Sequence, residues 1–151
     1  MPPLISVVTI CYNAKNDLEK TILSVLSQTY QDIEYIIIDG GSTDSTVDII
    51  HKYSERLFYW ISEPDKGIYD AMNKGMDRAT GSWIIFMNAG DTFCDNEVIK
   101  NIFGYNDLSD YSVIYGDCYV SKLNQLQYLK ASNMKKVHVQ MPFCHQSSFI
   151  R

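Results

Sequence analysis

Two carboxylates stand directly behind apolar runs in this sequence. Asp39 follows the run IEYIII at residues 33–38, and Asp91 closes the segment NAGD that follows the run WIIFM at residues 83–87. Continuous apolar runs of this length are typical of strands that are covered on both faces of a sheet. An acid at the end of such a strand can close a turn, cap a helix or bind a cation, and the runs alone leave all three roles open.

The chemistry that these two acids can support depends on which group would bring positive charge to a phosphate-bearing ligand. The sequence contains neither the phosphate loop GxxxxGK[ST] nor GxGxxG after its first strand, which argues against a P-loop NTPase and against a dinucleotide-binding oxidoreductase. A divalent cation is another source of charge. Mg²⁺ and Mn²⁺ are usually bound by one or two carboxylates together with substrate phosphates. Asp91 is therefore the candidate ligand for such a cation.

Strands and helices alternate over the first hundred residues. Four apolar runs, at residues 5–10, 33–38, 58–62 and 83–87, predict strands. Helical spacing follows each run and is clearest at residues 68–79, where the apolar positions trace one helix face until Gly81. Shorter strands are predicted after residue 111. The alternation predicts an α/β domain with a mainly parallel sheet and helices on both faces.

Polar residues collect at the carboxyl ends of these strands, which is where open parallel sheets bind ligands. Each residue also has a simpler interpretation, such as a cap for an acid or a turn for a glycine. Their position on one edge favours a binding site, which also includes the loop EPDKG at residues 63–67. The strand-end candidates are Thr9, Cys11, Tyr12, Asn13, Asp39, Gly40, Asn88, Ala89 and Gly90.

Length and charge restrict the class of protein. The chain has 151 residues, 46% of them hydrophobic, which suits one globular domain. A net charge of −5 and the lack of a basic stripe argue against a nucleic-acid partner. The sequence has neither a signal peptide nor about 18 consecutive apolar residues, so we expect a cytoplasmic protein without a transmembrane segment. The four scattered cysteines predict reduced thiols rather than disulfides or a zinc site.

Four segments of the sequence resemble glycosyltransferase family 2. They are ISVVTICYN, IIIDGGSTDST, DKGIYDAMNKGMDRATGSWIIFMNAGD and HQSSFIR, and they cover nearly the whole chain in the family's order and spacing. The resemblance is greatest to bacterial enzymes of capsular and exopolysaccharide synthesis. It implies a single Rossmann-like domain of the GT-A fold at residues 1–151. It also implies inverting transfer of a sugar from a nucleotide-diphosphate sugar, UDP-linked rather than GDP-linked, to a glycan or lipid-linked acceptor.

The resemblance implies roles for the residues that would bind the base. Residues 9–13 match the segment that cradles the nucleobase and the ribose. Asp39 matches the acid that accepts an N–H group of the base. The family often has a second acid next in sequence, where this chain has Gly40.

The resemblance also implies how the diphosphate and the donor sugar are bound. Many family members have an arginine where this chain has Met72, so we expect Lys66 or Lys74 to replace its charge. The matching loop and helix, residues 65–75, contribute Asp65, Lys66, Gly67, Asp70, Asn73 and Lys74 to this part of the site.

The segment NAGD lies where the family has its D-x-D type motif. The usual pattern has acids at the first and third positions, where this chain has Asn88 and Gly90, and it keeps only Asp91. The resemblance therefore assigns the cation, Mn²⁺ or Mg²⁺, to Asp91, with Asn88 contacting the ribose or a metal-bound water. Ala89 lines the same loop. His145 is a second candidate for contact with the metal or a phosphate, with a structural role as the alternative.

An inverting transfer needs a general base that deprotonates the acceptor hydroxyl. In the family this acid lies in a later motif, so we expect it beyond Arg151, in part of a longer protein that also binds the acceptor. Asp117 is the well-placed acid within the sequence, with a structural turn or a contact to the donor sugar as alternatives.

Two other functions stay open on the sequence. The segment NAGD keeps only one acid of the family motif, and Met72 stands where many members have an arginine. Both departures are compatible with a non-catalytic module that only binds a nucleotide sugar. A nucleotidyltransferase would need a glycine-rich, basic loop after the first strand, and CYNAKND is neither. For the leading function we expect a nucleotide-sugar partner, an acceptor glycan or lipid, and a cytoplasmic location that includes peripheral association with the inner face of the membrane.

Overall fold

The computed structural model describes residues 3–122, 125–132 and 144–151. Within them the strands are β1 (Ile5–Cys11), β2 (Ile33–Asp39), β3 (Tyr59–Ser62), β4 (Trp83–Asn88), β5 (Val113–Tyr115), β6 (Cys118–Lys122), β7 (Gln125–Leu129) and β8 (Ser148–Ile150). The α-helices are α1 (Leu18–Leu26), α2 (Thr46–Tyr53), α3 (Ile68–Met76) and α4 (Val98–Phe103). Two short 3₁₀ helices span Ser54–Arg56 and His145–Ser147.

Six of these strands form one sheet in the order β3-β2-β1-β4-β8-β5. β1 is parallel to both β2 and β4, and β2 is parallel to β3. β8 runs antiparallel to both β4 and β5. β6 and β7 form a separate antiparallel hairpin. The predicted mainly parallel α/β sheet is therefore confirmed.

The apolar strands are covered on both faces of the sheet. Alternate residues of a strand point to opposite faces, so each run feeds two clusters. Ile37 packs on one face with Ile22 of α1 and Ile50 of α2, and α4 contributes to the same cluster. Ile36 packs on the other face with Ala71 of α3. This two-sided burial is the reason that the strands are continuous apolar runs rather than alternating ones.

The end of α3 differs from the sequence prediction. The helix ends at Met76, and the last predicted apolar position, Ala79, lies in a turn held by a bond from its N–H to the Gly75 carbonyl (3.1 Å). Gly81 lies against the backbone at the start of β1, where an added Cβ has no room. Close packing rather than helix termination therefore explains this glycine.

The helices are short and depend on the sheet for their stability. α1 and α3 have nine residues each, α2 has eight and α4 has six, all below the length at which an isolated helix is stable in water. None of the helices that the structure describes is long and apolar enough to cross a membrane.

Candidate active site

The carboxyl ends of β1, β2 and β4 lie side by side at one edge of the sheet. Cys11 is in register with Asp39 of β2, and Ile10 is in register with Asn88 of β4. The loops that follow β2 and β4 both bond to the end of β1. In the loop after β2, the Gly40 N–H donates to the Cys11 carbonyl (3.0 Å), and in the loop after β4, the Ala89 N–H donates to the Ile10 carbonyl (3.1 Å). The fourth polar segment that the sequence placed at this edge, the loop after β3, is joined to the end of β2 by a bond from the Glu63 N–H to the Asp39 carbonyl (3.0 Å), so the structure brings all four together.

Asp39 is enclosed by its own loop. Its side chain is 0% exposed, and its Oδ2 accepts bonds from the backbone N–H groups of Gly41 (3.2 Å) and Ser42 (2.8 Å). The hydroxyl groups of Ser42 and Ser62 (2.6 Å for Ser62) and the Cys11 thiol (3.5 Å) also donate to it. We expected Asp39 to accept an N–H group of a base, but these five donors occupy it, so in this structure the carboxylate holds the loop instead.

Thr9 and Cys11 also face the core rather than the edge. The Thr9 hydroxyl is fully buried and bonds to the Tyr35 hydroxyl (3.0 Å). Burial, and then the nearby Asp39 charge, raise the pKa of the Cys11 thiol far above its usual range, so the thiol stays protonated. Their side chains therefore stabilise the end of β1, and their direct contact with a ligand stays a prediction.

Tyr12 and Asn13 are the exposed residues at the end of β1. The Tyr12 side chain is 63% exposed, which leaves its ring accessible at the edge. Asn13 has a positive φ of 48°, a conformation that asparagine tolerates better than most residues. Its side-chain oxygen accepts the Thr43 N–H (2.9 Å) and its own N–H donates to the Ser42 hydroxyl (2.8 Å). The two loops after β1 and β2 are thereby fixed to each other.

The loop after β3 lies directly against the glycines that follow Asp39. A Cβ added at Gly40 would collide with the Asp65 carboxylate, whose Cγ is 3.1 Å from that position. At Gly41, which has a positive φ of 81°, an added Cβ would lie 3.0 Å from the Pro64 nitrogen. Asp65 accepts the Gly67 N–H through Oδ1 (2.8 Å). Both glycines therefore allow residues 63–67 to approach, a contact that sequence reasoning did not foresee.

The two lysines proposed to replace the missing arginine differ in their surroundings. Lys74 is one-quarter exposed and contacts Glu63 Oε1 (2.9 Å), the Pro64 carbonyl (3.1 Å) and Asp70 Oδ2 (3.7 Å). The hydrogen bond to Glu63 is the main cause that raises the pKa of Lys74. Lys66 is exposed and forms no ion pair with any residue that the structure describes. Lys66 is therefore the lysine whose charge is available to a phosphate.

The remaining predicted positions on α3 lie at its start and on its exposed side. Gly67, with a φ of 108°, precedes the first helical residue. Asp70 Oδ2 accepts the Lys66 N–H (3.1 Å), and Asn73 is exposed. Met72, by contrast, packs against the apolar cluster beneath the sheet. Met72, at the position where the resemblance led us to expect an arginine, therefore contributes to the core.

The segment NAGD forms a tight turn on α1. Asp91 accepts the Asn88 N–H through Oδ2 (3.0 Å), and the Asp91 N–H donates to the Asn88 carbonyl (2.9 Å). Gly90 has a φ of 107° and donates its N–H to the Thr21 hydroxyl (2.8 Å). Oδ1 of Asp91 accepts no hydrogen bond from the described residues. Asp91 therefore closes a turn through Oδ2 and keeps Oδ1 without a donor from the described residues, and its role as a cation ligand stays a prediction.

The arrangement at Asp91 fits a cation that takes most of its ligands from a substrate. No group of three or more His, Cys, Asp or Glu side chains converges on one point within the described part of the chain. Mg²⁺ and Mn²⁺ need only one or two carboxylates where phosphates supply further oxygens. One open carboxylate oxygen on a rigid turn meets that minimum.

Asp117 is poorly suited to act as a general base in this structure. Its carboxylate accepts the Tyr128 hydroxyl and the Ala131 N–H (2.8 Å), which fold the β6–β7 hairpin over it. The hydrogen bond from Tyr128 lowers the pKa of Asp117, and a lower pKa makes a weaker base. The structural turn, one of the alternatives from the sequence, is the role that these contacts support. The side chain of His145 lies outside the described residues, so its predicted role is not addressed.

The family model described as glycosyl transferase family 2 matches residues 6–150 of this chain. The chain belongs to glycosyltransferase family 2. A curated relative, the PGL/p-HBAD biosynthesis glycosyltransferase of Mycobacterium bovis, is 32% identical over 156 aligned residues, which cover 99% of this chain and 59% of the relative. The chain therefore spans about three-fifths of the length of that relative.

Solved structures show that this family 2 chain has the GT-A fold. S. aureus TarS 1-349 in complex with UDP-GlcNAc has a TM-score of 0.70 at 17% identity, and the match covers 98% of this chain and 45% of TarS. The mannosyltransferase PcManGT from Pyrobaculum calidifontis, in complex with GDP-Man and Mn²⁺, has a TM-score of 0.67 at 19% identity. That match covers 81% of this chain and 36% of PcManGT.

Sequence reasoning missed the serines that surround Asp39. Ser62 ends β3 in register with Asp39, just as Cys11 ends β1 in register with it. Three neighbouring strands therefore end in small polar residues at one level of the sheet. Each of these residues directly follows the apolar run of its strand. This shared position was the signal that could have identified the set.

Proposed function

We propose that this chain is the donor-binding part of an inverting glycosyltransferase in cell-surface polysaccharide synthesis. It would take the sugar from a nucleotide-diphosphate sugar, UDP-linked rather than GDP-linked, and pass it to a glycan or lipid-linked acceptor. The observation that carries the proposal is the meeting of the β1, β2 and β4 ends beside the open oxygen of Asp91. Membership of family 2 supports the reaction class.

The two solved relatives support a nucleotide-sugar donor without deciding its base. The TarS structure holds UDP-GlcNAc, and the PcManGT structure holds GDP-Man with Mn²⁺. Both ligands combine a base, a ribose, a diphosphate and a sugar, and the edge of this sheet offers groups of matching kind. We assign Tyr12 and Asn13 to the base and ribose and Lys66 to the diphosphate, with Gly67, Asp70 and Asn73 at the donor sugar.

We assign the divalent cation to Asp91, with Asn88 beside it. When bound, Mn²⁺ or Mg²⁺ offsets the negative charge that develops on the departing nucleoside diphosphate. The turn that joins Asp91 to Asn88 fixes the carboxylate, so its open oxygen is held in place before the donor arrives. Lys66 would add a second positive charge from the loop after β3.

We place the general base outside residues 1–151. The hydrogen bonds to Asp117 lower its pKa and hold it in the hairpin, and the chain spans 59% of the mycobacterial relative. The acceptor site and the base would then lie in the rest of a longer protein. We propose that this protein works in the cytoplasm, at the inner face of the membrane where lipid-linked acceptors are held.

Calorimetric titration of UDP and GDP, with and without Mn²⁺, tests the donor site. We expect one nucleotide to bind this chain only with the metal, and Asp91→Ala to abolish that binding. Asp95→Ala is the matched control, because Asp95 is an exposed acid that accepts the Glu97 N–H (2.8 Å) in a similar cap. Each substitution should cost about 1 kcal/mol of stability, but the control should still bind.

A folded chain that binds neither nucleotide, with or without metal, contradicts the proposal. Equal binding by Asp91→Ala and the unsubstituted chain would restrict Asp91 to closing its turn. Circular dichroism of each variant separates loss of binding from loss of folding.

A non-catalytic module that only binds a nucleotide sugar is the second candidate. Asn88 and Gly90 in the acidic motif and the half-buried Met72 favour it, because all three are departures from the usual donor site. The two candidates differ in turnover by the longer protein. Release of nucleoside diphosphate from the donor in the presence of acceptor supports the enzyme, and metal-dependent binding without release supports the module.

A further inference from the structure

Gly40 is a glycine for reasons of space rather than backbone conformation. Positive φ angles occur at Gly41, Gly67 and Gly90, but Gly40 does not share this feature. An added Cβ at Gly40 is blocked by one group, the Asp65 carboxylate, whose Oδ2 is the nearest atom and whose Cγ lies 3.1 Å from that position. Asp65 therefore occupies the volume that a side chain at position 40 would take.

The Asp65 carboxylate is held in this position by the loop around it. Its Oδ1 accepts the Gly67 N–H (2.8 Å), and the loop is joined to the end of β2 by a bond from the Glu63 N–H to the Asp39 carbonyl (3.0 Å). Lys74 anchors the same loop through Glu63 (2.9 Å). Oδ2 of Asp65 accepts no hydrogen bond from the described residues, so it is free for an external donor.

Asp39 and Asp65 thus divide two tasks at the end of β2. Asp39 is 0% exposed and accepts five donors from the protein, which leaves no oxygen for a ligand. Asp65 is partly exposed, and its Oδ2, which accepts no bond from the described residues, lies beside Gly40. A carboxylate is an acceptor only, so it selects a base that presents an N–H group.

We propose that Asp65 accepts the imino N–H of the donor's nucleobase through Oδ2, in place of an acid at position 40. The inference rests on the proposed function and names the residue that selects the base. Uracil N3–H and guanine N1–H both offer this donor, whereas the corresponding ring nitrogens of cytosine and adenine carry no hydrogen. The chain should therefore discriminate against CDP and ADP.

The test is the ratio of affinities for UDP and N3-methyl-UDP, measured by calorimetry with Mn²⁺. Methylation removes the imino hydrogen, and loss of a hydrogen bond to a charged group should weaken binding about 10- to 100-fold. In Asp65→Ala we expect the two nucleotides to bind equally. General damage to the loop weakens both and leaves their ratio unchanged, so the ratio isolates the contact with the base.

Two further variants sharpen the test. Glu55→Gln removes one negative charge at an exposed glutamate outside this loop, and should keep the ratio of the unsubstituted chain. Gly40→Asp combined with Asp65→Ala places a carboxylate at position 40 in the vacated volume, and should restore discrimination that Asp65→Ala lost. A role for Asp65 in loop structure alone predicts no such recovery.

The outcomes separate this inference from the proposed function. If UDP binds and Asp65→Ala keeps the full discrimination against N3-methyl-UDP, the inference is wrong and the donor site stands. If neither UDP nor GDP binds the folded chain, the proposed function fails first. If GDP is the nucleotide that binds, GDP and N1-methyl-GDP take the place of the uridine pair with the same expectations.

Discussion

The two ends of β2 each carry a buried acid, and they solve the same electrostatic problem. Glu34, 4% exposed at the amino end, accepts bonds from the Ser6 hydroxyl, the Thr80 N–H and hydroxyl (2.6 Å for the hydroxyl) and the Gly81 N–H (2.9 Å). Asp39, at the carboxyl end, is surrounded by serine hydroxyls and backbone N–H groups in the same way. Neither forms an ion pair with a lysine or arginine among the described residues.

The difference between the ends lies in the groups beside each acid. Around Glu34 the loop that contains Gly81 is packed against the backbone at the start of β1, and the Gly81 N–H donates to the Ser6 hydroxyl as well as to Glu34. Around Asp39 the adjoining loops present exposed or unbonded groups, among them Tyr12, Lys66 and one oxygen each of Asp65 and Asp91. A buried carboxylate is therefore weak evidence for a site. The exposed or half-buried polar groups around it that bond to no described residue are the stronger evidence.

Replacing Asp39 or Glu34 by alanine should lower the stability in both cases but the nucleotide affinity only for Asp39. This is the largest effect that we predict. Asp39→Ala and Glu34→Ala each leave several buried donors without an acceptor, so both should lose about 3 kcal/mol of unfolding free energy in urea denaturation. Asp39→Ala should also weaken nucleotide affinity more than tenfold, because its loop positions Asn13 and residues 63–67. Glu34→Ala should bind as well as the unsubstituted chain.

The comparison fails if the two variants lose binding to the same degree. Titrations belong at a temperature where circular dichroism shows both variants folded, so that affinity is measured on the native state. Asp39→Asn retains one of the two acceptor oxygens and should recover part of the stability.

A glycine beside each acid offers a smaller contrast. An added Cβ at Gly81 lies 2.7 Å from the Ser6 nitrogen and 2.8 Å from the Leu4 carbonyl, so Gly81→Ala must move backbone. At Gly40 the obstacle is the Asp65 side chain, which can rotate away. We expect Gly81→Ala to cost about 3 kcal/mol and Gly40→Ala about 1 kcal/mol in thermal or urea unfolding.

The cost at Gly40 should depend on Asp65. In an Asp65→Ala background, Gly40→Ala should be nearly neutral, and the double-mutant cycle then gives a coupling of about 1 kcal/mol. Additive costs would show that some other contact excludes a side chain at position 40. They would also remove the argument that Asp65 fills that volume.

The fold followed from the sequence because burial on both faces leaves a simple signal. The four apolar runs and the helical spacing between them predicted β1 to β4 and the helices that cover them. The antiparallel position of β8 between β4 and β5 did not follow, since short strands near the end of the chain carry no mark of their partners. The end of α3 was misplaced because apolar spacing continues through a turn to Ala79.

The sequence predicted where the candidate site lies better than it predicted the contacts of the individual side chains. The sequence placed Asp39, Asp91 and residues 9–13 at one edge, and the parallel register brings them together there. It could not show that Thr9 and Cys11 point inward, because the direction of a strand's last residues depends on register and not on residue type. The contact between Gly40 and Asp65 joins residues 25 positions apart, and no local pattern encodes it.

The smallest predicted effect concerns the charge of Glu34. Burial raises the pKa of Glu34, but the bonds from Ser6, Thr80 and Gly81 outweigh burial and lower it. The folded state therefore binds its proton less tightly than the unfolded state, so the stabilisation is present above the unfolded pKa of about 4.5 and is lost as pH falls through the folded pKa. Glu34→Gln should be about 1 kcal/mol less stable near neutral pH, with a gap that closes in acid.

Urea denaturation across this pH range measures the gap between Glu34→Gln and the unsubstituted chain. Glu55→Gln, at an exposed glutamate, controls for the loss of one negative charge and should show little difference at any pH. A gap that stays constant into acid would mean that the donors around Glu34 stabilise the fold without favouring its charged form. The amino end of β2 would then no longer serve as the purely structural reference against which the Asp39 end is judged.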